Sequence, residues 1–366
     1  MLTATRGARP SDPLQAMLPQ SIRESPKKVA ASYGGIALLS TVAAACFEGR
    51  FVHEGRVDWN GVTYTIHPLW FNFSTLIDFA ILNPLMIMYL LRATERAAQL
   101  RPYGIKVRRV RLPETIGCMM AAAITIALYF QGFLRGTYFD AIVAIRADGS
   151  RLITVTGWLA FLWTTVILYY LIKGVAEQLI FTCTILKLGP AAISYDPLHE
   201  DQSGGLRALA EPALDFLQAM ALLFIAFILF FVYDILIFKI HESRRLWAIA
   251  VYAAIAFPLF LLPVLHLHHL MKEKRRELHA HALAAFKKQC GLDEGGSALW
   301  DAGSYKESLE QIVAAREIGT WLSTTPAWPL PTATLVRAGT YMIGVLAPLA
   351  TKVAPLVIEA LGFSSP

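Results

Sequence analysis

The sequence predicts an all-α membrane protein with six to seven transmembrane helices. Hydrophobic residues make up 55% of the 366-residue chain and charged residues only 16%, whereas an ordinary soluble domain carries roughly 25% charged residues. The apolar residues fall in blocks of about 20, which is the helix length that spans a hydrocarbon core of ~30 Å. Segments rich and poor in Lys and Arg alternate between most of these blocks, as membrane-spanning helices require.

Six apolar blocks are predicted to span the bilayer, and a seventh is interrupted. The fourth block is longer than a bilayer is thick, so its last turns are expected to project into the cytoplasm. The last segment, 339–363, contains Pro348, Lys352 and Pro355. Because these residues need internal partners in lipid, this segment is expected to be either a seventh span or a re-entrant element. The six predicted spans are 33–47, 74–91, 114–133, 152–188, 213–238 and 246–270.

The distribution of basic residues predicts a cytoplasmic N-terminus. The N-terminal tail and the 92–112 loop are rich in Lys and Arg, whereas the 49–73 loop is poor in them, and basic loops stay in the cytoplasm. The 189–212 loop fits this rule less well, because Arg207 is its only basic residue. The tail lacks the apolar region of a signal peptide, so the first block is expected to be retained. We divide the chain into a cytoplasmic tail, a six-helix core, a cytoplasmic helical segment and a C-terminal transmembrane or re-entrant segment, at 1–30, 31–270, 271–337 and 338–366.

Two short outer β-hairpins are predicted in the poorly basic loops. Asn60-Gly61 and Asp148-Gly149 each lie between β-branched and aromatic residues, a pattern typical of type I′ hairpins. A lone hairpin is marginal in water, so the two hairpins are expected to pair or to pack on the helices. Two unrelated flexible loops are the alternative.

A cytoplasmic helical hairpin is predicted before the last apolar segment. Met271 to Gly291 is expected to continue the sixth span as a helix, and 304–322 to form a second helix. This segment contains too few apolar residues to form an independent core easily. It is therefore expected to pack against the membrane part.

Polar residues inside the spans are the first functional candidates, because each is costly in hydrocarbon. Asp78 is predicted about one turn into the second span, with Asn83 and Pro84 at mid-span. Pro84 cannot bond the carbonyl of Ala80, and the resulting kink could line a polar cavity; otherwise Asp78 bonds a neighbouring helix and Pro84 shapes packing. The candidates are Asp78, Asn83, Pro84, Gln131, Lys173, Glu177, Asp215 and Asp234.

The same candidates have structural interpretations. Lys173 and Glu177 are four residues apart on one helix face and could form an ordinary ion pair. Asp215 and Asp234 flank the fifth span and could be interfacial anchors. An ion path requires that several of these residues face one cavity.

Histidines and basic residues gather at the inner end of the sixth span. His266 and His269 have the i,i+3 spacing that zinc ligands on one helix use, but no local carboxylate or cysteine completes a set, so they are weak metal candidates. A pH-sensing cluster and polar interface residues are the alternatives. A basic cluster that follows is expected to face anionic lipid; it comprises Lys272, Lys274, Arg275 and Arg276.

The 194–212 loop is the most distinctive soluble stretch. Its carboxylates and imidazole could bind a divalent cation or position a water for acid–base work; the alternative is a flexible entry to a short helix, Leu206 to Leu209. The candidate residues of the loop are Asp196, His199, Glu200, Asp201, Gly204 and Gly205.

The stretch from Asp196 to Leu206, DPLHEDQSGGL, resembles the HPD-x-x-GGL-type loop of a group of uncharacterised bacterial multi-span membrane proteins. Pro326-Ala-Trp-Pro-Leu is similar to an element that precedes the last apolar helix in that group. His199-Glu200-Asp201 stands where the group has His-Pro-Asp. The resemblance implies a bacterial inner-membrane location and no particular activity.

Three classes of function remain open from the sequence. A channel or transporter for a small ion or solute ranks first. A sensor, scaffold or effector that couples an outer or lipid signal to the cytoplasmic helices ranks second. An interfacial enzyme that uses the 194–212 loop ranks third. No completed catalytic set is present, and the sequence identifies no cofactor. The expected partners are the lipid bilayer and further copies of the chain. Nucleic acid is not expected, because the basic residues lie beside spans.

Overall fold

The protein is described by a computed structural model. It describes residues 25–49, 55–59, 62–66, 76–100, 114–135, 143–145, 151–193, 195, 203–238, 243–289, 313, 317, 320, 328–331 and 333–340.

The described chain is mostly helical, and a helix overlaps each of the six apolar blocks predicted as spans. A π-helical turn, Asp78–Leu82, leads directly into the second helix. The helices are α1 Pro26–Phe47, α2 Asn83–Gln99, α3 Glu114–Arg135, α4 Val155–Leu186, α5 Arg207–Phe238 and α6 Ser243–Gln289.

Four helices among the described residues are long and apolar enough to cross a membrane. They comprise Pro26–Phe47, Val155–Leu186, Arg207–Ala226 and Ala254–Ala284. Large apolar side chains on their outer faces are exposed, including Leu39 at 70% and Trp158 at 59%. Soluble proteins rarely expose apolar surface on this scale. The chain is therefore a membrane protein.

Helix α4 is one continuous helix, as the sequence predicts. Its 32 residues extend about 48 Å, well beyond the ~30 Å hydrocarbon core. The Thr154 side chain caps its first turn by accepting a hydrogen bond of 3.1 Å from the Gly157 backbone N–H. The Glu48 carboxylate, at the end of α1, accepts from the Thr156 backbone N–H at 3.2 Å and from the Thr156 hydroxyl at 2.7 Å. A carboxylate at a helix N-terminus is favourable because of the helix dipole, so it ties α1 to α4.

Helix α5 begins earlier than predicted. The short helix 206–209 and the span beginning at 213 are parts of one helix that starts at Arg207 and contains Pro212. Proline is tolerated so close to a helix start because few intrahelical bonds are lost there. Gly204 and Gly205 precede this helix with φ values of 63° and 79°, a left-handed conformation that favours glycine.

Four strands form one antiparallel sheet in the order β1-β2-β3-β4. The pairs close to the turns are Trp59 with Val62 and Ile145 with Arg151, and Thr65 pairs with Ile145 to join the two hairpins. The predicted turn residues themselves lie outside the described residues. The strands are β1 Gly55–Trp59, β2 Val62–Ile66, β3 Val143–Ile145 and β4 Arg151–Ile153.

Helix α2 lies at the centre of the bundle, in contact with α1, α4 and α5. Its Met86 and Ile87 are fully buried in one apolar core with Phe216 of α5. A second core lies where α2 and α4 end and α5 begins, and it includes Leu100 and Ile185.

Helix α6 continues far beyond its apolar part, as predicted for Met271 to Gly291, and ends at Gln289. Of the predicted 304–322 helix, only residues 313, 317 and 320 are described, and each is helical. Residues 333–340 are also helical, so this helix starts before the predicted boundaries at 338 and 339. The Pro331 carbonyl accepts from the Thr334 and Leu335 N–H groups at 2.8 and 3.0 Å and begins the helix.

Candidate functional site

The π-helical turn before α2 brings two candidate residues together. The Asn83 backbone N–H donates to the Asp78 carbonyl five residues back. In an α-helix, residues five apart lie about 140° apart around the axis. The extra residue of a π-turn brings them towards one face, and such turns occur frequently at functional sites. The Asn83 amide accordingly acts on the Asp78 carboxyl.

Three buried polar side chains form what we call the Asp78 cluster: Asp78, Asn83 and Tyr33. They are exposed by 7%, 2% and 8% respectively. Among the described residues, the Asp78 Oδ1, Asn83 Nδ2 and Tyr33 Oη atoms have no hydrogen-bond partner. Unpartnered buried polar atoms are uncommon and costly, so three of them in one place make the Asp78 cluster a candidate binding site.

Tyr33 comes from α1 and was not predicted as a site residue. It lies within electrostatic reach of Asp78 and of Tyr170, and its ring packs edge-on against Trp163 at a centroid distance of 5.4 Å. A single tyrosine in an apolar span gives no sequence signal, because tyrosines are common at membrane interfaces.

Close packing of α1 on the kink holds the cluster together. A Cβ atom added to Gly34 would lie 2.6 Å from Pro84 Cγ and 3.3 Å from the Ala80 carbonyl oxygen. Only glycine therefore allows α1 to approach so closely. The Ala80 carbonyl, which Pro84 cannot bond, faces this contact.

The contact of Gly34 with Pro84 lies near the middle of α1 and close to the start of α2. From this contact, α1 continues to Phe47, about 20 Å further along its axis. In the other direction, α2 continues to Gln99 over a similar length. Asp78 precedes Pro84 by six residues, and its predicted depth of about one turn into the membrane stays a prediction.

The charge of the cluster is that of one acid. Apart from burial, the groups that act on the Asp78 carboxyl among the described residues are the Asn83 amide and the Tyr33 phenol, and neither is a base. Burial of a carboxylate without a counter-charge is costly. A positively charged species would complement this site.

A separate ionic network joins α2 to α5. Arg96 Nη1 lies 2.9 Å from Asp215 Oδ2, and Arg96 Nε lies 3.5 Å from Glu211 Oε2. Arg207 Nε lies 3.0 Å from Glu211 Oε1 on the same helix. Asp215 is thus the partner of a neighbouring helix. Arg96 was not among the predicted site residues, because nothing in the sequence links residues so far apart.

Lys173 and Glu177 each contact a group other than the predicted partner. The Thr94 hydroxyl of α2 is hydrogen-bonded to the Glu177 carboxylate. The Lys173 ammonium lies 5.7 Å from the centre of the Tyr169 ring, a cation–π distance. Glu177 therefore adds a polar contact between α2 and α4.

Two polar residues of α4 compensate for a proline in α6. Pro263 cannot bond the Leu259 carbonyl. Gln178 Nε2 donates to that oxygen at 3.0 Å, and the Thr182 hydroxyl donates to it at 3.2 Å. Freed carbonyls in membrane helices need such partners, so these residues stabilise the bundle.

The inner histidines make other contacts. His266 Nε2 lies 3.0 Å from the Leu188 carbonyl, and His268 stacks on Trp328 with centroids 4.0 Å apart. His269 is exposed. Within the described part of the chain, no three His, Cys, Asp or Glu residues are grouped to hold a metal ion.

The basic cluster after the sixth span lies on the long extension of α6. Lys272 and Arg276 are exposed, and Arg275 is partly exposed. Lys274 Nζ forms an ion pair of 2.7 Å with Glu277. The exposed members are free to meet an anionic surface.

Several predicted residues are not brought into a site. Gln131 lies on α3 and Asp234 on α5, but their side chains are outside the described part. Asp196, His199, Glu200 and Asp201 also lie outside it, whereas Gly204 and Gly205 form the turn before α5.

Comparison with known proteins gives no relative from which a function could be inferred. No protein-family model matches the chain, and no curated protein or solved structure is significantly similar to it. The resemblance of the 196–206 loop stays a prediction.

Proposed function

We propose that this chain is a multi-pass protein of the bacterial inner membrane that transports a small ion or solute, with the Asp78 cluster on the transport route. In this proposal the N-terminus is cytoplasmic, the helices supply six to seven spans, and the four-stranded sheet lies outside. The observation that carries the proposal is the buried Asp78 cluster, whose polar atoms have no hydrogen-bond partner among the described residues.

The location of the cluster supports transport over a structural role. An acid inside a membrane protein is costly and normally pairs with a neighbour. The network of Arg96 and Asp215 shows such pairing in the same bundle, whereas Asp78 has no charged partner among the described residues. Irregular helical backbone is common at the binding sites of secondary transporters, and the π-turn Asp78–Leu82 before Pro84 is irregular in this sense.

In the described conformation, apolar side chains fill the bundle between the Asp78 cluster and Arg96. Between Asp78 and Arg96, about 27 Å along the helix, Met86 and Ile87 are fully buried in the apolar core. The Arg96–Asp215 pair joins α2 to α5 beyond them. Passage to the inner side would therefore require α2 to move relative to α5, as in alternating access.

Ion and solute flux in liposomes tests the proposal. The purified chain should dissipate an imposed gradient, and Asp78→Asn should reduce that flux at least tenfold while preserving the shape of the side chain. Glu177→Gln is the matched control, because Glu177 is another carboxyl of the bundle and is bonded to Thr94 outside the cluster. Unchanged flux in a folded Asp78→Asn protein would remove the cluster from the route.

A sensor or scaffold is the second candidate, supported by the length of α6. Its 47 residues run without interruption from the bundle into the basic extension, so a movement in the bundle would be transmitted along it. The His268–Trp328 stack places the segment before the last helix against α6. Ligand-dependent labelling of the extension, without any flux, would favour this function. For the enzyme alternative, the described residues provide no support.

A further inference from the structure

We propose that the Asp78 cluster binds one sodium ion through oxygen atoms of Asp78, Asn83, Tyr33 and the Ala80 carbonyl. This inference rests on the proposed transport function and names its ion. It is argued from the close contact of Gly34 in α1 with Ala80 and Pro84.

The charge of the cluster fits a monovalent cation. Asp78 contributes one negative charge, and no second carboxylate and no base acts on it among the described residues. A divalent ion bound there would leave a buried positive charge without compensation, which is costly in a membrane interior.

The donor atoms fit a hard alkali cation. A carboxylate, a phenol and an amide provide oxygen ligands, and the amide can present its oxygen because the two ends of an Asn side chain are nearly indistinguishable in structures. Oxygen donors suit hard cations, whereas imidazole and thiolate suit transition metals. Among the described cysteines, Cys46 lies on α1 and Cys118 on α3, and neither is buried.

The backbone at the kink supplies a further donor. Pro84 offers no N–H to the Ala80 carbonyl, and this oxygen faces Gly34 at the α1 contact. Carbonyls of interrupted helices coordinate sodium in several transporter folds. We take this carbonyl as the backbone ligand of the ion.

A proton explains the cluster less completely. It would neutralise Asp78 without drawing on the oxygen atoms of Tyr33 and Asn83, which come from two helices. One ion held between α1 and α2 would engage all three side chains.

Thermal stability in detergent tests the site without requiring transport. The full-length chain is heated in sodium chloride, potassium chloride, choline chloride and calcium chloride at equal ionic strength. A ligand that binds only the folded state raises Tm, and sodium at about 100 times its Kd should raise it by on the order of 5 °C. The shift should disappear in Asp78→Asn, shrink in Tyr33→Phe and persist in Glu177→Gln.

The outcomes separate this inference from the transport proposal. A sodium-specific shift that requires Asp78 supports the site. Equal shifts in wild type and Asp78→Asn, no shift at all, or a larger calcium shift that requires Asp78 would overturn it. Should Asp78→Asn fail to fold, Tyr33→Phe with an undiminished shift would likewise overturn it. Flux that is driven by a pH gradient and depends on Asp78 but not on sodium would overturn the sodium site. The transport proposal would then hold, with protons as the transported ion.

Discussion

Removal of Arg96 should destabilise the bundle far more than removal of Arg207, although both contact Glu211. The Asp215 side chain is only 3% exposed and lies 2.9 Å from Arg96 Nη1. Arg96→Met would leave this carboxylate buried without its partner, which typically costs about 3–5 kcal/mol. Arg207 is 48% exposed, so its ion pair contributes at most about 1 kcal/mol.

The free energy of unfolding can be measured for each variant by SDS titration in mixed micelles. Arg96→Met should lower it by at least about 3 kcal/mol, and Arg207→Ala by about 1 kcal/mol or less. The double variant Arg96→Met/Asp215→Leu should recover most of the loss, because an apolar pair can replace a buried ion pair at little cost. Equal, small losses in the two single variants would refute the assignment of Arg96 and Asp215 as a buried pair joining α2 to α5.

Two further substitutions test packing and polar compensation in the bundle. Gly34→Ala should lower the unfolding free energy by about 1–3 kcal/mol, because its Cβ would lie 2.6 Å from Pro84 Cγ and overpacking costs this much. The control is Gly35→Ala, because a Cβ at Gly35 would meet no described atom within 4 Å. Similar losses at both positions would contradict the close contact. The double variant Gln178→Leu/Thr182→Val should lower the unfolding free energy by about 1–3 kcal/mol, because it leaves the Leu259 carbonyl unsatisfied. Adding Pro263→Ala should recover most of this loss, because it restores the N–H that bonds the carbonyl. No recovery would show that the two side chains act in another way.

The positions of the helices could be predicted because the signal is local. Length and hydropathy within each block are enough to place a helix, and the long α4 and the continuation of α6 follow from the same information. The fifth span was predicted to start at 213, whereas the helix starts at Arg207 and includes Pro212, because a proline near a helix start is tolerated.

The candidate site could be predicted only in part. Asp78, Asn83 and Pro84 were found because an acid and a proline in an apolar span are rare and costly. Tyr33 and Arg96 were missed because their roles depend on which helices pack together, and a single sequence contains no signal for such pairing.

Ion flux through the purified chain tests the central claim most directly. Proteoliposomes loaded with a sodium-sensitive dye should take up sodium faster than empty liposomes, and Asp78→Asn should bring the rate close to that of the empty vesicles. If the folded wild-type chain moved neither ions nor solutes under any imposed gradient, the Asp78 cluster would not be part of a transport route.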